Sequence, residues 1–143
     1  MATLEEQIEM AYSELGISPD EQTLLNSYLK LMKEKDPELH NHSARVALLA
    51  IRVARHKHED PKAPFYNGLT HDIGKADIPD EVLKKTEGFG PDDMKAMKKH
   101  PEHTFNRLKG SHPASAFMGL RHHIHQKDSY PTELPETDVK FSK

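Results

Sequence analysis

Helix start and stop signals recur along most of this chain, and no stretch shows the alternation of a half-buried strand. Thr3 and Glu6 have capping-box spacing, Leu4, Ile8, Ala11 and Leu15 form one apolar face, and Gly16 follows as a stop. Ser18-Pro19-Asp20-Glu21 repeats the start signal, and Leu24, Leu25, Tyr28, Leu29 and Met32 are its expected buried face. Asp36-Pro37 opens a third helix of about 20 residues reaching toward Lys57. The middle is more broken. A short helix is expected from Phe65 to Asp72, stopped by Gly74, and a helical turn after Pro79 carries Val82 and Leu83. Lys84 to Pro91 reads as a loop, and Pro91 to Lys99 as a helix. Pro101 starts a segment to Leu108, and Ser111 or His112 with Pro113 opens a last helix to about His125. The spacing implies an all-α helical bundle: an accessory helical pair over residues 1–35, a helical domain over 36–131 and an irregular tail over 132–143.

Composition bounds the chemistry. Charged residues make up 30% of the 143, hydrophobic ones 35%, and the mean hydropathy is -0.80, so the core is thin for the length. A metal tying helices together would add stability to such a chain. With no cysteine, disulfides and thiolate sites are excluded, and any metal must use histidine, carboxylate and water. A net charge of -3 and a pI near 6.4 argue against a general nucleic-acid or polybasic membrane-surface role. No apolar run approaches the roughly 20 residues of a membrane span, and MATLEEQIEM is unlike a targeting signal, so a cytoplasmic location is expected.

Eleven histidines stand out, and their positions decide their meaning. Leu39, His42, Val46, Leu49 and Val53 fall on one stripe of the third helix, which would put His42 on the inward face with Glu38 one turn before it. His42 is then either a ligand or a core histidine bonded to a backbone carbonyl. His71-Asp72-Ile73-Gly74-Lys75 offers a nitrogen and a carboxylate to one ion, with a second carboxylate oxygen to bridge another and a lysine near enough for a phosphate. Its plain alternative is a helix C-terminus with His and Lys complementing the dipole. His100 precedes Pro101 at an expected helix end. His122 and His123 are adjacent, diverging by about 100° on a helix, which suits two neighbouring ions or a ligand and a substrate contact. His56, His58, His103, His112 and His125 are expected to be solvated. Asn67, Thr70 and Gln126 are candidates for the cleft wall.

HSARV at His42, HDIGK at His71, IPDEVLKK from Ile78, MKKHPEH around His100, and HH followed by Tyr130-Pro131 occur in that order. In this the chain resembles the HD-superfamily metal-dependent phosphohydrolases, specifically their HD-GYP-like branch, from about Glu38 to Pro131. The resemblance implies that His42, His71 and Asp72 bind one metal, with Asp72 bridging. It implies that His100, His122 and His123 bind a second, and that Glu38 supports an additional ion in some members. Lys75 resembles the lysine beside the phosphate, and Arg45 sits where a family arginine often lies. The implied cofactor is divalent iron or manganese, one or two ions, with magnesium, nickel and zinc as alternatives. The implied partner is a small phosphorylated substrate, a nucleotide or cyclic dinucleotide, with neither stable nucleic-acid binding nor a membrane. Two ions about 3.5–4 Å apart would activate a bridging water for in-line attack on phosphorus.

Two departures accompany the resemblance. HHIHQKDSYP is one residue shorter than the family motif and has Ser129 for its glycine, so this loop is expected to run differently from that of members that cleave cyclic di-GMP. The family's last aspartate ligand, in a helix beyond the HH pair, has no assigned counterpart; Asp138 lies in PETDVKFSK, which lacks a helical pattern. A metal-binding sensor or scaffold module without catalysis is therefore the alternative to an enzyme, and a wholly structural set of histidines is a third reading.

Overall fold

The computed structural model describes residues 2–111 together with Ser115, Ala116 and Met118. The chain is all-α, with no strand among the described residues. It divides into two compact units, Met1–Thr70 and His71–Lys143. Among the described residues no helix is long and apolar enough to cross a membrane.

The first unit holds α1 (Leu4–Leu15), α2 (Pro19–Lys35), α3 (Pro37–His56) and α4 (Lys62–Thr70). Its caps follow from the sequence signals. The Thr3 hydroxyl accepts from the Glu6 N–H at 3.1 Å, Ser18 from Glu21 at 3.3 Å, and the Asp36 carboxylate from Glu38 at 3.1 Å. Gly16 closes α1 with φ +65°, the left-handed conformation that glycine adopts without strain. The α1–α2 pair expected to be accessory packs with α3 and α4 in this same unit, α1 on α3 and α2 on both α3 and α4. Ile8, Tyr12, Leu25, Leu29, Met32, Phe65 and Leu69 fill the core, each large apolar side chain contributing roughly 1.5–3 kcal/mol by leaving water. Tyr12 meets Phe65 edge to face at 6.0 Å, and its hydroxyl donates to Asn26 Oδ1 at 2.8 Å. Burial raises the Tyr12 pKa, and burial with the hydrogen bond to Glu21 raises that of Tyr66.

Helix α3 buries a different face from the one expected. Leu39, His40, Ser43, Ala44, Ala47, Ile51 and Ala54 point inward. Leu49 and Val53 are 56% and 49% exposed, Val46 is half-buried, and His42 is exposed. The cause is close packing between α3 and α4. A Cβ on Gly68 of α4 would lie 3.0 Å from Ala47 Cα, so only small residues fit the seam, and the larger residues of the expected stripe lie mostly outside it. The buried histidine of α3 is His40, with Nδ1 3.0 Å from Asn41 Oδ1.

Helix α4 begins at Lys62 and ends at Thr70, so it starts earlier than expected and stops short of Asp72. Pro64 falls in the first turn, where a missing N–H costs no intrahelical bond. Thr70, expected at a cleft wall, is fully buried with its hydroxyl donating to the Tyr66 carbonyl at 2.7 Å; Asn67 is half-buried, and Gln126 lies outside the described residues.

In the second unit a 3₁₀ helix (Ile73–Asp77) precedes α5 (Asp80–Leu83), α6 (Pro91–Met97) and α7 (His100–Leu108). The 3₁₀ helix packs on α7, and Ile73, Ile78, Phe105, Leu108 and Ala116 are buried. His100 opens α7 rather than closing the preceding helix. Pro101 stands at the second position of α7, where it is tolerated, and the helix therefore starts before it. Ser115, Ala116 and Met118 are helical, within the last expected helix.

Candidate metal centre

Asp72 lies in the turn between α4 and the 3₁₀ helix and is 3% exposed. A buried carboxylate is costly unless cations or donors surround it. Three side chains of the second unit do so. His71 Nε2 is 3.1 Å from Asp72 Oδ2, Lys75 Nζ is 3.4 Å from the same oxygen, and His100 Nε2 is 3.3 Å from Oδ1. Lys75 reaches Asp72 because the two are three residues apart on a helical turn, and it remains partly open to solvent.

The orientation of His100 is fixed from behind. Its Nδ1 is 2.8 Å from the Met97 carbonyl oxygen, which can only accept, so Nδ1 carries the proton and donates. Nε2 then faces Asp72. A neutral ring that turns its Nε2 lone pair toward a carboxylate oxygen suits a cation shared between the two. Neighbouring ligands of an octahedral divalent ion with bonds near 2.1 Å stand about 3 Å apart. The 3.1 Å and 3.3 Å separations are close to that edge. A ligating histidine whose second nitrogen donates to a backbone carbonyl is the usual support of a metal site. The donor set of imidazole and carboxylate without thiolate suits iron, manganese and related divalent ions. His71 and His100 approach different oxygens of Asp72, so each histidine–carboxylate pair fits the edge of such an ion.

One stripe of α7 grips the turn and the 3₁₀ helix that follows it at three levels. His100 meets the Asp72 carboxylate. One turn later, the Thr104 hydroxyl accepts from the Gly74 N–H at 2.8 Å and donates to the His71 carbonyl at 3.3 Å. Arg107 then makes a two-pronged contact with Asp77, Nε to Oδ2 at 2.7 Å and Nη2 to Oδ1 at 2.6 Å. The Asp77 carboxylate raises the Arg107 pKa further.

Of the sequence candidates, His71, Asp72, Lys75 and His100 therefore come together in the second unit. His42, Glu38 and Arg45 lie along α3 in the first, each exposed. His122, His123, the Ser129-Tyr130-Pro131 loop and Asp138 lie outside the described residues, as do His112 and His125. His56 and His58 are exposed as expected, whereas His103 is half-buried. Thr104 carried no signal in the sequence: a lone threonine inside a helix has no spacing that distinguishes it.

The chain is similar to known proteins. Residues 39–140 match the HD domain model. A cyclic di-GMP phosphodiesterase of Thermotoga maritima is 32% identical over 121 residues, covering 78% of this chain and 33% of that protein. One of Pseudomonas aeruginosa is 31% identical over 125 residues, covering 81% and 30%. A cyclic di-GMP phosphodiesterase response regulator of Xanthomonas campestris is 41% identical over 69 residues, covering 45% and 18%. The chain spans a third or less of the length of these relatives. No solved structure matches it. With the HDIGK turn inside the matched span and its carboxylate held between histidines, this chain belongs to the HD domain family.

Proposed function

We propose that this chain is a metal-dependent phosphodiesterase acting on a cyclic dinucleotide, cyclic di-GMP being the substrate to which its relatives' names point. The observation that carries the reading is the Asp72 carboxylate set between His71 and His100, with His100 braced by the Met97 carbonyl. His71 and His100 would each share with Asp72 a divalent ion, iron or manganese. His42 and Glu38 from α3, and His122 and His123, complete the ligand set, as the family resemblance implies. A bound divalent ion supplies Lewis acidity, lowering the pKa of water and polarising phosphoryl oxygens.

The chain's own groups do the rest. Asp72 presents one oxygen to each side of the site, so its two oxygens can serve two positions. Lys75, three residues on, neutralises charge that builds on the phosphoryl oxygens as the water oxygen bonds to phosphorus and the ester P–O bond breaks. Arg45 contributes a second cation toward the substrate phosphates. The attacking water gives up one proton and the leaving oxygen takes one up, giving a linear dinucleotide.

The test is hydrolysis of cyclic di-GMP and of bis(p-nitrophenyl) phosphate by protein purified without oxygen and loaded with manganese. Turnover is expected, and Asp72→Ala should reduce it by about a thousandfold or more with the helical circular dichroism kept. A folded, manganese-loaded protein inert toward both substrates would overturn the proposal.

A further inference from the structure

We infer that Thr104 is the positioning residue of the metal centre, a strut that sets the direction of Asp72 without itself touching the ion. This inference rests on the metal-centre reading above. Thr104 is fully buried, yet its hydroxyl is used twice. It donates to the His71 carbonyl at 3.3 Å and accepts from the Gly74 N–H at 2.8 Å. The two partners flank Asp72. The His71 carbonyl belongs to the planar peptide that carries the Asp72 nitrogen, so fixing that oxygen fixes the plane from which the Asp72 side chain departs. The Gly74 N–H fixes the other end of the turn, where Lys75 N–H also closes on the Asp72 carbonyl at 3.0 Å.

The same helix delivers the opposing ligand. His100 lies one turn before Thr104 on α7, so the hydroxyl sets the register between the helix that carries His100 and the turn that carries Asp72. The Gly74 backbone approaches so closely that a Cβ there would stand 2.6 Å from Thr104 Oγ1. A hydroxyl at this place acts as donor and acceptor at once. A methyl group of the same size can do neither, and it would leave the buried Gly74 N–H unpaired. Valine at 104 therefore keeps the volume and loses the strut, while serine keeps the strut. Arg107, bound to Asp77 at the far end of the same helix pairing, provides the contrast, because it braces the 3₁₀ helix without touching the turn.

Manganese affinity of the full chain, with melting temperature recorded alongside, tests this. Thr104→Val and Thr104→Ala should bind manganese about 10- to 100-fold more weakly than wild type. Thr104→Ser and Arg107→Gln should stay within about threefold of wild type, well below the loss that a lost outer partner causes. Equal affinity in wild type and Thr104→Val would overturn the inference, as would an equal loss in Arg107→Gln and Thr104→Val. If Thr104→Val does not fold, the serine and alanine variants decide, since they differ by the hydroxyl alone; equal affinity in those two overturns it. Should wild type take up no manganese, the metal reading fails by itself. The strut is then read from Gly74 amide exchange, which must run faster in Thr104→Ala than in Thr104→Ser; equal rates overturn the inference.

Discussion

At Gly74 the backbone of α7 stands directly against the turn that carries Asp72. The glycine reads as a helix stop, but its backbone is not in a left-handed conformation; it lies inside a 3₁₀ helix pressed against α7. A Cβ would stand 2.1 Å from the His100 carbonyl oxygen and 2.3 Å from the Thr104 nitrogen, both backbone atoms that cannot swing aside. Gly74→Ala should therefore destabilise the protein by about 3 kcal/mol or more, at the upper end of overpacking costs, measured by denaturant unfolding. A loss below about 0.5 kcal/mol, the size of an ordinary surface change, would show that α7 does not press on this turn. His71, Asp72, Lys75 and His100 were each singled out by residue type and order, and the structure brings them together. Thr104 was not, because its role comes from tertiary contact alone.

Among the elements, boundaries set by side-chain chemistry were legible and faces were less so. Thr3, Ser18 and Asp36 cap helices where their spacing said they would, because a cap is a local bond between near neighbours. The inward face of α3 was misplaced, because it depends on the Gly68–Ala47 approach of another helix. The same reasoning applies to α6. Asp93 accepts from the Gly90 N–H at 2.9 Å and pairs with Lys85 at 2.8 Å. The backbone hydrogen bond first, and the lysine second, hold its carboxyl below the ordinary aspartate range. A carboxyl with a depressed folded pKa stabilises in full above its unfolded pKa, and that contribution is lost as pH falls through the folded value. Carboxyl carbon titration by NMR should give Asp93 a midpoint below that of an unpaired aspartate, with the Gly90 amide shifting in step. A midpoint at or above the ordinary value would contradict this cap.

For the whole molecule, the helical class was legible from capping and periodicity, and the low hydrophobic content agrees with cores built partly from alanine and glycine contacts. The division at Thr70 was not legible. It falls inside the stretch expected to run as one helix to Asp72, and only the shift to a 3₁₀ helix after the turn marks it. The central claim is that Asp72, flanked by His71 and His100, is a ligand to a divalent ion. The most direct measurement is a manganese titration of the metal-free full chain, with unbound ion counted by electron paramagnetic resonance, for wild type beside Asp72→Asn. The account predicts tight uptake of at least one ion by wild type and loss of that uptake in the variant, with the fold retained. Equal uptake in the two proteins, or none in a folded wild type, would contradict it.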